Sequence, residues 1–191
     1  MKQTEMRDFA LAGLLISIAF AIVLRNIADF FTVFILSILT AGLGFVLHEA
    51  AHKYVAQHYK KHATFVADYR MLAASILIAF TGIIIAAPGA VMISGFVSRE
   101  ENGIISAAGP ATNILLALVC LPFIYLLDGT SSLIASMGFV INSWLALFNM
   151  IPFGFFDGAK VLSWNKIVYG SITGASIILV FISSTFILST L

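Results

Sequence analysis

The chain has 191 residues, of which 61% are hydrophobic and only 10% charged. Soluble domains carry roughly 25% charged residues, so this composition excludes a water-soluble globular protein and indicates one that lives in a lipid bilayer. The net charge of +1 provides no field for nucleic acid or another polyanion, and the single cysteine, Cys120, excludes an intramolecular disulfide.

The predicted elements are six apolar stretches separated by short polar interruptions. A spanning helix needs roughly 20 residues. The first stretch, Phe9–Leu24, is slightly short. Lys2 and Arg7 precede it and Ala19-Phe20-Ala21 resembles a signal-cleavage site, but the apolar run continues past that triplet, which favours a retained helix. The second, Phe30–Gln57, ends in His48-Glu49-Ala50-Ala51-His52. Residues four apart lie on one helix face, so both imidazoles can grip one metal ion, with the glutamate between them as general base for a water molecule. The remaining stretches are Met71–Val97, Gly103–Leu127, Leu133–Ile151 and Ile167–Leu191. Nothing reads as a soluble domain or as a tail after Ser189-Thr190-Leu191. The expectation is one integral membrane domain over 1–191, all-α and polytopic, with five to six transmembrane helices.

Charge bias decides between five and six. If every stretch crosses and the N-terminus is inside, Lys2, Arg7, Lys53, Lys60, Lys61 and Arg70 are inside, while Arg25, Arg99, Lys160 and Lys166 are outside. If Met71–Val97 instead enters and returns on the same side, only Arg25 stays outside, a clear positive-inside pattern. Thr81-Gly82 and Pro88-Gly89 permit the break. The reading is therefore a re-entrant helix/β element at about 71–97, with a short strand at Ala90–Val97. Backbone of that kind at membrane depth must be covered by protein or line a wet cavity, and an exposed strand edge can pair with an extended peptide.

Two histidines are half a catalytic zinc site, which takes three protein ligands and an open position. His58 has the spacing of a third histidine ligand, but Val55 occupies the place where a glycine would turn the chain back. In a continued helix His58 lies about 9 Å beyond His52 and about 120° around, so it reads as an interfacial residue. Glu100 and Glu101, beside Arg99, read as a solvated charged loop. Asp157 ends an aromatic segment, Phe153-Gly154-Phe155-Phe156. It is either a metal ligand or the start of an Asp-Gly turn. Topology bears on this choice. With six spans Asp157 lies across the bilayer, up to about 30 Å from the histidines; with the re-entrant element it returns to the same side. Zn²⁺ with Asp157 and Glu49 ionised would also be a neutral cluster, far cheaper to hold at low dielectric than separate ions.

Three motifs together resemble the site-2 proteases, a family of intramembrane zinc metalloproteases. They are His48–His52; Gly109-Pro110-Ala111-Thr112-Asn113, matching G-P-x-x-N; and Asn149 through Gly158, matching N-x-x-P-x-x-x-x-D-G. They fall within a motif-bearing core of about 30–165. The resemblance implies one zinc ion per chain held by His48, His52 and Asp157, with Glu49 as catalytic base. It also implies polar roles near the site for Asn113 and Asn149, as substrate or oxyanion contacts or as interhelical hydrogen bonds. The implied partner is a transmembrane protein substrate within the lipid bilayer. The expected setting is the cell membrane, with the N-terminus and the site's opening on the cytoplasmic side. The PDZ and CBS modules of many relatives are absent from these 191 residues. Ala41 and Gly44, on the His48–His52 face, leave room for a close neighbour, either helix or substrate. The competing readings are a membrane metal-ion transporter using the same His/Asp cluster, and an inactive protease-like scaffold.

Overall fold

A computed structural model of the chain describes residues 3–84 and 89–189, with side chains to 184. Pro88, one of the expected breaks, and Lys2, Thr190 and Leu191 lie outside the described residues. In chain order the elements are α1 (Gln3–Val23), α2 (Phe30–Ser37), a π-helical turn (Ile38–Gly42), α3 (Leu43–His58), β1 (His62–Ala67), α4 (Tyr69–Ala79), β2 (Gly89–Ser94), α5 (Arg99–Leu126), α6 (Gly129–Asn149), α7 (Asp157–Trp164) and α8 (Lys166–Ser189). Among the described residues five helical segments are long and apolar enough to cross a membrane: α1, the continuous run Phe30–His58, α5, α6 and α8. The all-α polytopic expectation holds.

Met71–Val97 is not a sixth span. Asp68 caps α4 by accepting from the Arg70 and Met71 amides, and the helix ends after 11 residues, about 16 Å of rise against the roughly 30 Å of a hydrocarbon core. It climbs beside α1. The Tyr69 hydroxyl donates to Asp8 at 2.6 Å near one end, and Ile76 and Ala79 pack with Ala19 and Ile22 near the other. By Gly89 the chain is back opposite Ala67, and it runs down β2 antiparallel to β1 until Ser94 faces His62. The described ends of the segment thus lie side by side at one level. Lys61 closes the loop there, its ammonium donating to the Phe96 carbonyl at 2.8 Å and pairing with Glu101 at 2.9 Å. Accordingly, cysteines placed at Lys60 and Arg99 should react with a membrane-impermeant maleimide from the same face. Labelling from opposite faces would sink the re-entrant topology.

Strand β1 was not foreseen; the sequence there reads as a polar interruption. It is held by α1. Glu5 is 4% exposed, pairs with Lys53 of α3 and accepts the Phe65 amide at 2.9 Å. The Phe65 ring stacks on Phe9 at 4.4 Å and meets Phe45 edge-on. A buried ion pair contributes little net stability but penalises any register that separates its partners, so this one pins α1, α3 and β1 together. Those contacts belong to the main core, with Ile16, Leu72, Ile141 and Leu145.

The π-helical turn is the other unforeseen feature. It lies where α2 and α3 cross α1 tightly: a Cβ on Gly42 would strike the Ser17 hydroxyl and the Gly13 carbonyl. Because a π turn bonds i to i+5, it resets the angular register of everything after it. That includes the face carrying His48 and His52.

Candidate metal centre and its cavity

α3 supplies two imidazoles on one face. It continues helically through His58, and Lys60, in the left-handed region at φ 58°, ends it with two reverse hydrogen bonds, Lys60 N–H to Gln57 and Lys61 N–H to Ala56. His58 is therefore exposed at the helix end and takes no part in the cluster, as the missing glycine suggested. Glu100 and Glu101 form the first turn of α5 rather than a loop. Glu101 makes a reciprocal capping box with Ser98 and pairs with Lys61, so neither acid faces the histidines.

Asp157 opens α7. It reaches the site because the chain turns sharply after α6, and Gly158 makes that turn possible: a Cβ there would collide with the Met150 and Ile151 carbonyls. The three side chains converge. His48 Nε2 and His52 Nε2 are 3.0 Å apart, and Asp157 Oδ2 lies 3.3 and 3.0 Å from them. All three residues are buried. Among the described residues this is the one group of three His, Cys, Asp or Glu side chains that could hold a metal ion.

The environment of the rings fixes what they present to one another. His52 Nδ1 donates to the Ile105 carbonyl at 2.7 Å; a carbonyl only accepts, so the proton sits on Nδ1. His48 Nδ1 donates likewise to Asn113 Oδ1 at 2.6 Å. In neutral rings both Nε2 atoms then aim lone pairs at each other and at a carboxylate oxygen, a set that a shared cation joins. Tetrahedral zinc with arms of 2.0–2.1 Å separates its ligand atoms by about 3.3 Å. The triangle of 3.0, 3.0 and 3.3 Å fits that ion with little adjustment. Lys160 stands beside the other carboxylate oxygen, Oδ1, at 3.6 Å.

The cluster lies in the wall of a cavity of about 360 Å³ that Glu49, Asn149, Lys160 and the β2 residues Gly89 to Ile93 also line. An open hollow of about 810 Å³, bounded by Tyr69, Arg70 and Val66, shares Gly89, Ala90, Met92 and Phe155 with it. β2 pairs with β1 along one edge and borders the cavity. Asn149 faces the cavity while its amide donates to the Leu145 carbonyl at 2.9 Å. Asn113 is fully buried. Its oxygen holds His48, and its two amide hydrogens are taken by Asn142 and the Gly44 carbonyl, so it is a support for the ligand with no donor left for a substrate. Gly44 itself packs against the Asn142 carboxamide and Ala41 is in the core, so the chain's own helices fill that small-residue face.

Two supporting groups escaped the sequence reading. Asn142 was signalled only by being an amide in the middle of an apolar stretch. The Ile105 carbonyl has no sequence signal at all.

No protein-family model matches the chain, and no solved structure matches it. The chain is 38% identical over 171 residues, 87% of its own length and 87% of the other's, to a protein of Methanocaldococcus jannaschii named "Putative zinc metalloprotease". With that identity over most of both chains, and with a His/His/Asp cluster able to hold a metal ion, the chain belongs to this zinc metalloprotease family.

Proposed function

We propose that the protein is an intramembrane protease of the site-2 type, hydrolysing a peptide bond in or near a transmembrane segment of another membrane protein. The observation that carries this reading is the convergence of His48, His52 and Asp157 beside Glu49 in a cavity walled by helices of membrane-spanning length. A zinc ion held by those three ligands would supply Lewis acidity, polarising the scissile carbonyl and acidifying water at the site. Glu49 takes the proton of the attacking water and returns it to the leaving amine nitrogen. Asn149, facing the same cavity, offers its side chain to the substrate carbonyl or backbone. The β2 edge suits an unwound substrate, since a helical peptide keeps its carbonyls in internal hydrogen bonds. The placement of basic residues favours a cytoplasmic opening in the cell membrane, with Arg25 the single basic residue outside.

The test is cleavage of single-span proteins by the purified enzyme in liposomes. Activity should vanish on chelation and return with zinc, while zinc flux across the same liposomes stays at background. Chelator-resistant cleavage would remove the metal from the mechanism. Zinc flux without cleavage would favour a transporter built on the same ligands.

A further inference from the structure

The described polar network extends one residue beyond the groups already assigned. Asn142 of α6 is 3% exposed, and its carboxamide donates to the Gly138 carbonyl at 2.9 Å. Its oxygen accepts from Asn113 Nδ2 at 2.8 Å. Asn113, on α5, is fully buried, donates also to Gly44 O on α3 at 3.3 Å, and turns its oxygen to His48 Nδ1. Each link has a direction. A backbone carbonyl only accepts, so Gly138 forces the NH₂ of Asn142 toward itself and the oxygen the other way. That oxygen and the Gly44 carbonyl, both acceptors, then claim the two hydrogens of Asn113. Only the Asn113 oxygen remains for His48, whose Nδ1 must carry the proton. The lone pair is left on Nε2, which faces His52 and Asp157. Gly44 leaves the space for this chain, because a Cβ there would strike the Asn142 oxygen.

We propose that Asn142 is a positioning residue for the metal centre, setting the orientation of Asn113 and through it the tautomer and ring angle of His48. The inference rests on the reading that His48, His52 and Asp157 hold zinc. A carboxamide turned the wrong way would oppose two donors or two acceptors between buried residues, so the orientation is enforced rather than merely preferred. An asparagine serving only to tie α5 to α6 would need one bond of any sense, and its loss would be felt in stability, not in the ligand.

The experiment measures zinc affinity by competition with a chromogenic chelator on the purified full-length protein in detergent, together with the visible absorption of the cobalt-loaded form. Outer partners of metal-binding histidines typically contribute about 10- to 100-fold in affinity. N113A should lose about that much, and N142L about 10-fold with an altered cobalt spectrum. N113A/N142L should bind no more weakly than N113A alone, because the second residue acts through the first. N142D should restore near-native affinity: its protonated carboxyl keeps a donor for Gly138 and an acceptor for Asn113. N142S, small enough to fold, is too short to reach Asn113 and should lose affinity as N142L does. Native affinity in both N142L and N142S, or losses in N113A and N142L that multiply in the double variant, would overturn the proposal. Wild-type protein that binds no zinc would overturn the metal-centre reading beneath it, a separate and recognisable failure.

Discussion

Replacing Glu49 by glutamine should leave zinc bound and lower peptide hydrolysis about 10²- to 10⁴-fold, the share a positioned general base usually supplies. Glutamine keeps the volume and one acceptor oxygen but cannot take up a proton. Glu49 lies outside the His48–His52–Asp157 triangle while lining the same cavity, so the substitution removes proton transfer and spares the ligands. The two readouts are metal content of the purified variant and its rate on a single-span substrate. Cleavage near the wild-type rate would dismiss Glu49 as the base. Loss of the metal would instead make it a ligand.

The second large effect is expected from a residue with no functional group. A Cβ on Gly109 would overlap the Nε2 atoms of both His48 and His52, the very atoms that face the metal. α5 cannot back away to make room, because it is tied to α3 by His52 on the Ile105 carbonyl and His48 on Asn113, one on each side of Gly109. Gly109→Ala should therefore weaken zinc binding by more than about 100-fold, since it displaces ligand atoms where loss of a mere outer support costs about 10- to 100-fold. Alanine is the better helix former by about 1 kcal/mol, so the loss would not come from a weakened helix. Chelator competition reads the effect, and helicity by circular dichroism should be unchanged. A Gly109→Ala protein with native zinc affinity would mean that α3 and α5 stand farther apart than described.

These two residues mark what was legible in the sequence and what was not. The spacing of His48, Glu49 and His52 is local, and one turn of helix is enough to place both imidazoles on a single face. Asp157 was reachable because its motif, Asn149 through Gly158, is contiguous and resembles a known family's, and because the bias of the basic residues favoured its return to the side of His52. The same charge count exposed Met71–Val97 as re-entrant, although its strand ends at Ser94 instead of Val97. What stayed hidden depends on pairing across the fold. β1 is a strand because β2 and Glu5 hold it, and neither is near it in sequence. The π turn lies at a close crossing with α1, and no residue in α2 announces it. Asn113 drew attention as an amide near the site, but whether it faced a substrate or a histidine was decided by Asn142 and Gly44 on two other helices.

The turn that carries Asp157 back to the histidines also sets when the enzyme can exist. The ligands on α3 are made early, and their third partner comes 105 residues after His52 (157 minus 52), beyond the re-entrant element and two further spans. A nascent chain that has inserted α1 through α5 already holds both imidazoles, buttressed by Ile105 and Asn113, yet has no closed site. Hydrolytic competence therefore arrives as a late event of biogenesis. Until α6 and α7 have been made and Asp157 has docked, the chain holds two of its three candidate ligands and no more.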